Sequence, residues 1–302
     1  MSHRRAVWLM VCVTLMWSIA GVVTRHLDSA RGFEVTFWRS LFNALALLLL
    51  LGAIQGPARL ARTLRGGGRA LWISGLCWCV MYTAFMVAIT LTTVANVLVT
   101  MALAPLLTAL AARFALGHRL AARTWGAIVV AGAGIGWMYG AELGGSEPRH
   151  LLGTAVALCV PIAAAINWTL LQHLYRSAGS ATAPDMLAPV LLGALLSAAL
   201  TLPLSLPLQA SAHDLGLLAL LGVVQLAIPC LLAVRIARVL SAPEVSLLGL
   251  LEVVFGVLWV WLGTDEAPSA AVLGGGLLVL GALAANEALA LRRRGPRSLQ
   301  PH

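Results

Sequence analysis

Polar positions are sparse along this chain and gather between long apolar runs. Windows of about twenty apolar residues, the length that crosses a roughly 30 Å hydrocarbon layer, recur along it. They predict ten helices, at approximately 6–24, 33–53, 70–89, 94–115, 122–140, 151–172, 184–204, 215–235, 244–262 and 269–290. The connections are short. The longest is the arginine-rich segment 54–69, and no extramembrane segment is large enough to fold alone. The clearest helix start is Ser241-x-x-Glu244, a capping box with Pro243 just inside the first turn. From Val245 to Leu262 the run is almost wholly apolar, which suits lipid or a membrane bundle.

One group breaks that run. Glu252 lies about 12 Å from the helix start at a 1.5 Å rise per residue, close to the middle of the hydrocarbon layer. A carboxylate at that depth costs about 2.5–3.5 kcal/mol on insertion scales, so a membrane protein that keeps one usually uses it.

The pattern also repeats. From Thr93 to Met138 the chain reads as a helix, a turn at Leu116-Gly117-His118 and a glycine-rich helix from Gly126. From Ser241 to Asn286 it reads the same way, with a turn at Gly263-Thr264-Asp265-Glu266 and Gly274 in the matching place. Thr93-x-x-Asn96 and Ser241-x-x-Glu244 are corresponding caps. Trp17 precedes Arg25 by eight residues, as Trp168 precedes Arg176. The units are residues 1–140 and 141–302. Five spans per unit is an odd number, so the two are expected to insert in opposite orientations, as in secondary transporters.

Composition fixes the class. The chain is 60% hydrophobic and only 10% charged, whereas globular proteins run near 25% charged. The reading is all-α and polytopic. The formal charge of +9 does not point to nucleic acid, because no basic face is interleaved with aromatics. All twenty basic residues are arginine. With the N-terminus in the cytoplasm, Arg25, Arg31 and Arg149 fall outside, Arg39 falls within a span and the other sixteen lie inside. That bias predicts cytoplasmic termini. The apolar run from Ala6 to Val23 is too long for a typical signal peptide and has no Ala-x-Ala site after it, so it reads as an uncleaved first span. The lysine-free composition rich in Arg, Ala, Gly and Leu fits a GC-rich bacterium, hence an inner membrane. Cys12, Cys77, Cys79, Cys159 and Cys230 all sit in apolar runs and read as small packing residues.

Short signals in order then resemble the EamA-like transporter family of the drug/metabolite transporter superfamily, over nearly the whole chain. They are Trp17 with Arg25, Arg39 in the second span, Ala88 through Pro105, Gln225 to Pro229, Ser241-Ala-Pro-Glu244 and Leu-Leu-Glu252. Two departures stand out: Val253 replaces the proline common after the Leu-Glu pair, and the first turn carries Gly117-His118 where Gly-Glu is usual. The second half keeps an acid there, Glu266. The resemblance implies ten-helix carriers of small metabolites, amino acids or drugs, often moved outward. An uptake carrier of the same fold and a non-transporting membrane sensor or assembly protein are the alternatives.

Candidate chemistry is confined to a few groups. Glu252 suits an amine-bearing solute or a coupling proton, because burial penalises the charged carboxylate while a nearby arginine favours it. Its plain alternative is a bond bracing helix nine. Arg39 suits a carboxylate, of substrate or of bundle, with Asn43 one turn on along the same face; snorkelling to the interface is the alternative. Trp17, Trp78, Tyr82, Asn96, Asn167, Trp168, Gln225 and Trp259 are lining candidates at interior depth, with packing as the alternative. Trp72, Trp125 and Trp137 read as an interfacial belt, Glu287 and Arg235 as interfacial, and Asp265 and Glu266 as solvated. Gly132-x-x-x-Gly136 and Gly274-Gly275-Gly276 with Gly281 allow close helix approach, inside the chain or at a homodimer seam. No phosphate-binding loop, metal spacing or nucleophile–base pair is visible, so neither an enzyme nor a cofactor is expected. The expected partners are the bilayer and a small-molecule substrate.

Overall fold

A computed structural model describes residues 1–116, 122–143, 148–177, 186–265 and 267–293. Among these, the regular structure is entirely helical. The first window is two helices, α1 (His3–Ser18) and α2 (Ala20–Thr24), separated by a break at Ile19. Gly32 and Gly56, at φ 52 and 84, bracket α3 (Phe33–Gln55); both backbone turns are ones a side chain would oppose. The predicted connection at 54–69 is instead largely a helix, α4 (Pro57–Gly66), with its proline at the first helical position. Then come α5 (Arg69–Leu91), α6 (Val94–Met101) and α7 (Ala104–Leu116). The Thr93 side chain caps α6 by accepting from the Asn96 N–H.

The second half opens after α8 (Ala122–Leu143) with α9 (Pro148–Ser177), which carries Pro161 in its interior. Next is α10 (Ala188–Thr201), which ends in a 3₁₀ turn at Leu202–Leu204. The eighth window holds α11 (Ala212–Leu220), a π-helical stretch at Leu221–Ala227, and α12 (Ile228–Ile236). Pro229 has no N–H to offer the Gln225 carbonyl four residues back, which gives the wide turn a local cause. α13 (Ala242–Gly263) starts at the predicted cap, where the Ser241 N–H donates to Glu244 Oε2 at 2.7 Å. It runs without interruption through Val253. α14 (Ala270–Arg293) closes the described chain. His118 and Glu266 of the predicted turns lie outside the described residues.

Seven of the helical stretches are long and apolar enough to cross a membrane: His3–Thr24, Phe33–Gln55, Arg69–Leu91, Val94–Ala115, Arg149–Ser177, Ala212–Ile236 and Glu244–Gly263. The windows at 122–140, 184–204 and 269–290 hold shorter apolar helices, Trp125–Gly134, Ala188–Leu204 and Ala270–Asn286. Trp72, Trp125 and Trp137 are exposed on the bundle flank, as a belt requires. Asp265 is exposed in its loop, as predicted.

The helices pack in a definite set of pairs. α1 lies against α13 and α12, α5 against α9 and α10, and α10 against α3. α6 and α7 contact both α9 and α13, the π stretch packs on α3, and α8 packs on α14. Close approach explains two of these. A Cβ on Gly222 would sit 2.8 Å from the Arg39 carbonyl oxygen and 2.7 Å from the Asn43 nitrogen, so only glycine lets the π stretch seat against α3. In the α8–α14 seam it is Gly134 that meets the Gly275 carbonyl, at 2.9 Å for a built Cβ. The predicted Gly132 and Gly136 face open space, because the neighbour lies on the other side of the helix.

At the end of the bundle away from the N-terminus, two buried carboxylates grip loop backbone. Glu34 Oε1, at the start of α3, accepts the N–H groups of Gln209 and Ala210 at 2.7 and 2.8 Å. Asp214, at the start of α11, accepts those of Asp28, Ser29 and Ala30 at 2.7–3.0 Å, besides capping its own helix through Ser211. Arg25 donates to the carbonyls of Ile89 and Thr92, tying α2 to the α5–α6 turn. Two apolar clusters fill the bundle. One includes Met10, Leu47, Leu171 and Val234, the other Ala20, Ile89, Val94 and Leu218. Met81 packs on both, and a cavity lies where they meet.

Candidate functional site

Arg39 is the largest fully buried side chain, 2% exposed, two turns into α3. Its guanidinium is turned inward. Nε and Nη2 both donate to Gln225 Oε1, at 3.2 and 2.9 Å. Gln225 Nε2 donates in turn to the Trp17 carbonyl at 3.2 Å, beside the α1–α2 break. Phe85 lies beneath the guanidinium, 5.4 Å from ring centroid to carbon, in cation–π geometry. Nη1 has no hydrogen-bond partner among the described residues. Snorkelling is therefore not what Arg39 does: the π stretch brings it an acceptor inside the bundle.

These groups border a cavity of about 120 Å³, room for several waters or a small solute. Trp17, Trp78, Tyr82, Phe85 and Trp168 form its aromatic wall. Trp78 meets Trp168 edge-on at 5.8 Å and Tyr82 at 5.6 Å. Glu252 reaches the cavity from α13 and is 8% exposed. Among the described residues no ion pair joins Glu252 to Arg39, whose bonds go to Gln225 instead. A carboxylate and a guanidinium thus face one small chamber without neutralising each other by contact. Chemically, that suits a solute with polar groups at its ends and an apolar body between.

Of the predicted site residues, Trp17, Arg39, Tyr82, Trp168, Gln225 and Glu252 come together here, with Trp78. Four others do not. Asn43 is buried where the π stretch seats on α3, outside the lining. Asn96 donates to the hydroxyls of Thr92 and Thr154, bracing α6 on α9. Asn167 accepts from Ser74 Oγ at 2.6 Å, bracing α9 on α5. Trp259 donates to Ser18 Oγ at 3.1 Å, locking α13 on α1. Each sits on a helix–helix seam, because depth along a helix says nothing of the direction a side chain takes around it.

Sequence reasoning missed Met81, Phe85, Met101, Ser246, Gly249 and Cys230, all in the lining. Cys230, which reads in sequence as a packing residue, also borders the cavity. A signal was present for Phe85 and Gly249. Val245, Gly249 and Glu252 share one helical face at three- and four-residue spacing, as do Trp78, Tyr82 and Phe85, and Val160, Ala164 and Trp168. Projecting around each of these helices from its charged or aromatic member finds them.

Comparison with known proteins bears on the sequence and on the fold. Residues 4–140 match the model of the EamA-like transporter family. With seven helical stretches among the described residues long and apolar enough to cross a bilayer, the chain is a multi-pass membrane protein. A solved crystal structure is similar over 98% of this chain and 100% of its own, with a TM-score of 0.65 and 22% identity, which is a likeness of fold. No curated protein matches.

Proposed function

We propose that this protein is a secondary-active carrier that exports small metabolites, amino acids or drug-like solutes by alternating access. The observation that carries the reading is the central chamber, where Arg39 and Glu252 bring charge to a largely apolar, aromatic-walled space. Buried charges at membrane depth are costly unless function keeps them. The chamber also draws on both halves of the chain, the expected place for a transport site.

On this reading the chain is ten spans in two inverted repeats, residues 1–140 and 141–302. The contact pattern supports it. Exchanging each window for its counterpart turns the α1–α13 pair into α9 with α6 and α7, and the α1–α12 pair into α9 with α5. The α3–π pair becomes α10 with α5, while α3–α10 and α8–α14 map onto themselves. Arginine asymmetry puts both termini in the cytoplasm of a bacterial inner membrane. Glu252 carries the coupling proton, and Arg39 sets the polarity at the far side of the solute.

Substrate counterflow in proteoliposomes tests this, with amino acids and lipophilic cations as the first panel. The expected result is saturable flux driven by an imposed pH gradient. Absence of flux for every solute that protects the cavity, or flux indifferent to the gradient, overturns the carrier or its coupling respectively.

A further inference from the structure

α4 has no part in the chamber. Its ten residues, Pro57-Ala-Arg-Leu-Ala-Arg-Thr-Leu-Arg-Gly66, are strongly two-faced. At about 100° per residue, Arg59, Arg62 and Arg65 cover an arc of roughly 120°, and Leu60 and Leu64 lie opposite its centre. The structure honours that pattern. Leu60 is 3% exposed and joins the apolar cluster that also holds Met10 and Leu51, and Leu64 packs against the same cluster. Arg59, Arg62 and Arg65 are exposed, as is Arg69 at the start of α5. None of the four has an ion-pair partner among the described residues.

Tryptophans set the level of this helix in the bilayer. Trp72 lies three residues into α5, about 4.5 Å along its axis from Arg69, and is 49% exposed. Trp8, about 7.5 Å from the start of α1, is 63% exposed. Exposed indoles at that depth mark the headgroup boundary. An amphipathic helix one turn beyond it, apolar face inward and cationic face out, meets phosphates rather than acyl chains.

We propose that α4 is an anionic-lipid site, with Arg59, Arg62, Arg65 and Arg69 binding the phosphodiester headgroups of the leaflet beside the bundle's N-terminal end. Guanidinium forks suit phosphate oxygens, and the cationic arc has no ion-pair partner among the described residues. A basic residue near an anionic surface contributes about fivefold in affinity, so three together give on the order of 100-fold. The occupancy docks the lower ends of α3 and α10, which α4 contacts.

Native mass spectrometry of the full chain, titrated with phosphatidylglycerol and in parallel with phosphatidylcholine, tests the site. Expected is a marked preference for phosphatidylglycerol, weakened at least tenfold in R59Q/R62Q/R65Q and restored in the corresponding triple lysine variant. The control R4Q/R5Q/R235Q removes the same charge from exposed positions of other helices, and keeps the preference. Equal loss in both glutamine variants would mean diffuse surface charge and overturn the site. So would a wild type without preference. Inorganic phosphate that displaces the lipid at low millimolar concentration would mark a free-ion site instead. Circular dichroism of each variant confirms that it folds, and the readout requires no transport.

Discussion

Replacing Gln225 with leucine should destabilise the protein far more when Arg39 is present than when it is absent. In the wild type, one amide oxygen receives two N–H groups of a fully buried guanidinium, and the amide nitrogen holds the Trp17 carbonyl. Two donors on one acceptor count as little more than one charge-assisted bond, about 2 kcal/mol. The neutral bond to Trp17 adds about 0.6 kcal/mol, the average for interhelical hydrogen bonds in membranes. Gln225→Leu should therefore cost about 2.5 kcal/mol. In an Arg39→Met background only the neutral bond is lost, and leucine also removes an amide oxygen left without its donor. The second cost should fall to about 0.5 kcal/mol or reverse sign, a coupling of about 2 kcal/mol. Unfolding of the four proteins in mixed dodecyl sulfate micelles, read by tryptophan fluorescence, measures the cycle. If the single costs simply add, the fork does not hold the arginine charge, and Gln225 is packing alone.

Four further outcomes follow from the geometry. Gly222→Val drives a side chain into the backbone of Arg39 and Asn43 and should cost about 3 kcal/mol, seen as a lower melting temperature. Gly216→Ala, which meets open space, should leave the melt unchanged or raise it slightly. Asp214→Asn offers an amide where three loop N–H groups need an acceptor and should cost about 2 kcal/mol, with faster hydrogen exchange at residues 28–30. Glu252→Gln should retain solute binding yet lose the pH-gradient dependence of flux, and unchanged coupling would remove the carboxyl from that role.

The fold was legible wherever length and apolarity carry the information. The windows fall on helices among the described residues, seven of them on stretches long enough to cross a membrane, the Ser241–Glu244 cap forms, and Trp72, Trp125 and Trp137 are exposed. Breaks were not legible. The interruption at Ile19, the α6–α7 junction near Ala102 and the π turn around Gln225 leave a long apolar run unchanged in composition. α4 went unseen because it is half the length of a span and rich in arginine, although Pro57 after Gly56 and the Leu60–Leu64 spacing mark it. In the site, Arg39 and Glu252 stood out because a charge inside an apolar helix is rare. Asn96 and Trp259 misled for the converse reason: amides and indoles serve a seam as readily as a chamber, and only the neighbouring helix decides which.

Glu34 and Asp214 hold main-chain amides, which every residue but proline supplies. The loops at 28–30 and 209–210 are accordingly fastened by length and turn shape, with Ala30 and Ala210 turned into the apolar cluster. The exposed side chains of Asp28 and Gln209 can therefore change their chemical face, or bear a label, without loosening the clasp. A single inserted residue would undo what many substitutions leave intact.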